Sequence, residues 1–136
     1  MDRSLKLWII TILLLTTGIA VGQEPFSSIF DRLAKVERFA IGGVGYAGVI
    51  SQGEKDFRAI LSRSSITDFE KLYRTGNIQA KVYALVGLRI LSPDRYNEFA
   101  TALRTSKEMV ETMTGCIEGK EPLAEVIKRV DAGEYR

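Results

Sequence analysis

The sequence predicts an all-α domain, a small orthogonal or antiparallel bundle of five or six short helices, placed behind an apolar leader. Three observations predict it. Segment 78–91, IQAKVYALVGLRIL, is apolar on nearly every side, the pattern of a helix wrapped by its neighbours. Shorter stretches around it carry apolar residues at helical spacing on one face only. Start and stop signals punctuate those stretches at short intervals.

The leader comes first. Arg3 and Lys6 precede residues 7–22, which carry no charge and end with Ala20 and Gly22 at −3/−1 spacing. This is the layout of a secretory signal peptide. Cleavage after Gly22 leaves one domain, residues 23–136, long enough for a modest core. The alternative is an uncleaved anchor, although the uncharged run is shorter than the ~20 residues a spanning helix takes. The expected location is therefore periplasmic or extracellular, or membrane-anchored facing outside if residues 7–22 are retained.

The first helix is expected over 28–38, capped by Ser28 and Asp31, with Ile29, Phe30, Leu33 and Val36 or Ala40 on one face. A glycine-rich crossing at 42–50 follows, where each glycine costs a helix about 1 kcal/mol relative to alanine. Val49 and Ile50 suit a short extended piece. Ser51 and Glu54 read as a capping box opening a helix over 52–62, with Phe57, Ile60 and Leu61 inward. Thr67 and Glu70 mark the next start, and Gly76 its stop. Asn77 caps the apolar helix, within which Gly87 permits a neighbour's close approach.

Ser92 and Pro93 open the following helix, with Tyr96, Phe99, Ala100 and Leu103 inward. Residues 108–117 suit either helix or strand; Met109, Val110 and Met113 favour helix as far as 113. Pro122 opens a last helix with Leu123, Val126, Ile127 and Val130 inward, an Glu125–Arg129 pair outside and Gly133 as its stop. The tail after it is expected to fray. Segments 52–75 and 78–104 each read as two helices joined by a turn. In layout they are similar to hairpins of HEAT-like helical repeats, without a residue-level repeat consensus.

Composition narrows the chemistry. The 19 basic and 17 acidic residues are nearly balanced and scattered, so nothing concentrates a field for nucleic acid. The chain has no histidine and one cysteine. That removes the usual general base near neutral pH, Ser-His and Cys-His nucleophile pairs, and histidine-ligated zinc. No cofactor and no metal site are expected. The acidic pairs Glu54/Asp56, Asp68/Glu70 and Glu118/Glu121 read as helix-start and surface charges rather than a carboxylate pair across a cleft. Tyr83 reads as a core tyrosine with its hydroxyl at the boundary. Cys116 reads as a buried small hydrophobe or, if exposed, as a thiol for an intermolecular disulfide.

Gly43, Gly45 and Gly48 spell G-x-G-x-x-G. A dinucleotide-binding turn would follow a strand and open a helix. Here the helix signal, Ser51, comes three residues after the motif, and no alternation of strands and helices surrounds it. The expected role is a tight crossing with Tyr46 over part of the core. A second reading makes it the side of a groove for a ligand or partner, formed by Gly43, Gly45, Tyr46, Gly48 and Lys55.

The functional expectation is an exported, non-enzymatic helical domain that binds a protein or peptide partner in the envelope or outside the cell. One alternative is a small ligand-binding protein or enzyme using a groove near 42–55. Another is a membrane-tethered accessory subunit.

Overall fold

A computed structural model of the chain describes residues 22–135. All but the last residue of the predicted leader, together with Arg136, lies outside the described residues. The described chain is mostly helical, with six helices and two small antiparallel hairpins. In order, the elements are α1 (Phe26–Ala34), β1 (Gly43–Val44), β2 (Val49–Ile50), α2 (Gln52–Leu61), α3 (Ile66–Thr75), α4 (Ile78–Leu91), α5 (Pro93–Thr101), β3 (Met109–Thr114), β4 (Ile117–Pro122) and α6 (Leu123–Ala132). The hairpins correct the all-α expectation.

α4 is the centre of the core. Residues 79–80 and 82–88 are buried, and only its last turn, at Ile90 and Leu91, emerges. Asn77 caps it by accepting from the Ala80 amide at 2.9 Å. Gly87 lies under the Phe69 ring so closely that a Cβ there would stand 2.4 Å from Cε1. α3 and α5 flank α4, and α6 packs beside it through Leu123, Val126, Ile127 and Val130.

The 78–104 pair forms as its layout predicts, but the 52–75 pair does not. α2 lies chiefly on α1, and α3 chiefly on α4. The HEAT-like likeness therefore does not extend to the first hairpin.

Several local expectations also shift. α1 starts at Phe26 behind Pro25, without a side-chain cap, and ends at Ala34. α3 starts behind Ser65, whose amide and hydroxyl both donate to the Asp68 carboxylate. Ser92 makes no side-chain cap. Arg129 turns from Glu125 to Glu121 at 2.7 Å, and Glu125 pairs with Lys128 instead. The tail is docked, since Tyr135 sets its ring edge-on to Phe39 and accepts from Arg129 at 2.9 Å.

The segment 109–122 forms a hairpin instead of a helix. Val110 and Thr112 alternate into the core, a two-residue period that helix cannot satisfy. Gly115, at φ +56°, begins the two-residue turn between Thr114 and Ile117. The backbone around Phe39 runs parallel to the other edge of β3: Phe39 donates to Glu111 O and accepts from Met113 N, at 2.8 and 3.0 Å. The glycine segment is a second hairpin, in which Val44 pairs Val49 across a four-residue loop. It is fastened to the tip of the first by Gly45 N–H donating to Gly115 O at 2.9 Å.

Candidate functional site

A strap of backbone, residues 37–42, joins the β3 edge to the helical core, and its fixings define the site. The Tyr83 hydroxyl donates to Ala40 O at 2.7 Å and accepts from Ala40 N–H at 3.0 Å. That hydroxyl is fully buried rather than at the boundary, and burial pushes its pKa up to about 12. Ser51 also donates to Ala40 O, at 3.2 Å, and its oxygen accepts from the Glu54 amide. Glu54, itself buried, accepts from Gly42 N–H at 2.8 Å and from Arg58 through Nε and Nη2. The predicted capping box is thus half formed, because the Glu54 side chain serves the strap instead of the cap.

Beside the strap lies a groove of about 350 Å³. Its walls are the end of α1 (Arg32, Lys35, Val36), the strap (Glu37, Arg38, Ala40), the start of α2 (Ser51, Gln52, Gly53, Asp56) and Met113 of β3. The floor is apolar at Val36, Ala40 and Met113. Asp56 is buried and accepts from Arg32 Nε and Nη2, both at 2.6 Å, and from Gln52 at 2.9 Å. Arg32 also reaches Glu24, and its hydrogen bonds to Asp56 and Glu24 push its pKa further above the usual guanidinium range. Arg38 is bridged to Glu118 at 3.2 Å. Lys35 and Glu37 form no ion pair among the described residues.

The residues predicted to form a groove do not line this one. Gly43, Gly45, Tyr46 and Gly48 belong to the β1–β2 hairpin, and Lys55 stands exposed on α2. The glycine amides are committed to the fold: Gly42 to Glu54, Gly45 to Gly115 O and Gly48 to Gly45 O. The motif is therefore a hairpin loop, without the strand–turn–helix context of a dinucleotide site. Tyr46 covers no core. It is fully exposed at the loop, and Val49 and Ile117 are exposed too, at 58% and 75%. Cys116 is exposed in the adjacent turn, correcting the buried reading.

The other acidic pairs are likewise engaged. Arg95 and Arg74 hold Glu70, lowering its pKa. Arg129, with Thr112, lowers that of Glu121. Among the described residues no group of three or more His, Cys, Asp or Glu could hold a metal ion, and no helix is long and apolar enough to cross a membrane.

Sequence reasoning missed Arg32 and Asp56. A signal was present: Asp56 adjoins Phe57 on the inward stripe of its helix, where a charge requires a partner. No protein-family model, curated protein or solved structure matches the chain.

Proposed function

We propose that the chain is an exported, non-enzymatic binding module that holds an extended peptide segment of a protein partner in the groove beside the strap. The observation that carries this reading is how charge is distributed there. The charges in the walls, Arg32 and Asp56, are paired with each other, while Lys35 and Glu37 beside them form no ion pair among the described residues. With its Asp56 carboxylate so engaged, the groove offers no free carboxylate there to act as nucleophile or base. An apolar floor under a rim with an uncommitted cation suits an apolar side chain next to an acidic one. Export rests on the N-terminal composition.

The test is a display library of short peptides panned against residues 23–136. Enriched peptides should carry an apolar residue beside an acidic one. Lys35→Glu should turn that preference towards a basic neighbour, and Met113→Lys should abolish capture while leaving the melting temperature near that of the parent. Enrichment indifferent to both substitutions refutes the groove. A small molecule that stays bound through purification and is displaced by Met113→Lys would replace the peptide reading with the ligand-binding alternative.

A further inference from the structure

The fold's grip on its N-terminal segment begins one residue after the first residue that cleavage would expose. Pro25 closes the start of α1, its carbonyl accepting from the Ser28 and Ile29 amides at 3.1 and 3.3 Å. Glu24 is fastened twice. Its carboxylate accepts from Arg32 at 2.6 and 3.1 Å, and its carbonyl accepts from Arg63 at 3.2 Å. Gln23 is exposed and makes no side-chain hydrogen bond among the described residues. Proline at 25 keeps Glu24 out of helical conformation, so α1 cannot extend backwards to take up Gln23.

We infer that Gln23 is a modification site: once exposed as the N-terminal residue, it closes to pyroglutamate. This rests on the export reading, with cleavage after Gly22. The α-amine nitrogen attacks Cδ of the residue's own side-chain amide. A new N–Cδ bond closes a five-membered lactam, the Cδ–Nε2 bond breaks, and Nε2 leaves as ammonia with the proton shed by the amine. The step is an intramolecular transamidation and requires neither oxidant nor co-reactant. It needs a side chain free to fold onto its own amine and a terminus that a cyclase can reach. The exposed Gln23, held only from Glu24 onward, meets both conditions.

Closure also has an electrostatic consequence. A free ammonium on Gln23 would add a positive charge one residue from Glu24, whose carboxylate Arg32 already holds. The lactam removes that charge. The modified end is closed to aminopeptidases as well.

The test uses the full chain made in a secreting host, with the purified product incubated at neutral pH with a glutaminyl cyclase. A synthetic peptide of residues 23–30 is treated in parallel. The expected intact mass is that of residues 23–136 less one molecule of ammonia. Stepwise N-terminal sequencing should be blocked and then reopened by pyroglutamate aminopeptidase. Gln23→Ala should be cut at the same bond, keep its full mass and sequence freely from alanine. An intact Gln23 on a chain cut after Gly22, under conditions that convert the peptide, overturns the inference and leaves export standing. A cut at another bond overturns the inference and leaves export standing, and a mass that retains residues 1–22 overturns the inference together with the cleavage on which it rests.

Discussion

Replacing Tyr83 by phenylalanine removes one oxygen and, with it, both bonds that hold Ala40 to the core. The two ends of that loss are unequal. Ala40 O keeps a second donor in Ser51 at 3.2 Å, whereas the Ala40 amide has no other partner among the described residues. An orphaned buried donor costs about 1–3 kcal/mol, so ~2 kcal/mol is expected. For a domain of this size that lowers the melting temperature by roughly 8 °C. Chemical denaturation gives the free energy, and hydrogen exchange at the Ala40 amide tests the cause, because that amide should exchange much faster in the variant. The same hydroxyl predicts a pH effect. Its folded pKa, about 12, lies above the unfolded value near 10, so the neutral form is favoured by folding. Its contribution is complete below pH ~10, falls as pH rises towards ~12, and the full loss is about 3 kcal/mol. The stability difference between parent and Tyr83→Phe should therefore shrink across that window. A variant within ~0.5 kcal/mol of the parent, with Ala40 still protected, would refute the strap argument.

Three further substitutions probe the rest of the fold. Gly87→Ala drives a Cβ against the Phe69 ring and should cost about 2 kcal/mol, with much of it recovered in a Gly87→Ala/Phe69→Leu pair; urea midpoints decide it. Gly45→Val places a β-branched residue at φ +70° and should lose about 1–3 kcal/mol, read as a fall in melting temperature. Leu85→Asp puts an unpaired charge at a fully buried position and should unfold the domain, and retention of native circular dichroism and a cooperative melt would contradict the central placement of α4.

What could be read from the chain is what depends on local pattern. α4 announces itself because its apolar residues have no polar face to offset them, and Asn77 marks its start. α2 begins where Ser51 predicts, and α6 stops at Gly133, whose φ of +75° suits a helix end. The hairpin at 109–122 was ambiguous because Met109, Val110 and Met113 sit at helical spacing while Val110 and Thr112 sit at strand spacing. What selects the strand is distant in sequence: Phe39 bonds to Glu111 and Met113 along one edge. The strap could not be read at all. Residues 37–42 show no side-chain period, and their partners are Tyr83, Glu54 and the β3 backbone.

The residues predicted to form a groove and the cavity beside the strap do not coincide, and the reason is physical. A glycine run suggests unused amides, but these amides are consumed in closing a hairpin and fixing it to its neighbour. The cavity instead arises where α2 is attached to two partners at once. Asp56 binds α1 through Arg32, and Glu54, two residues earlier and so on a different side of the helix, binds the strap through Gly42. These two buried carboxylates tie α2 to α1 on one side and to the strap on the other. Their charges are engaged in holding the elements around the groove together. Under the proposed peptide-binding function, a recess whose walls are already anchored would contribute affinity without first being reorganised.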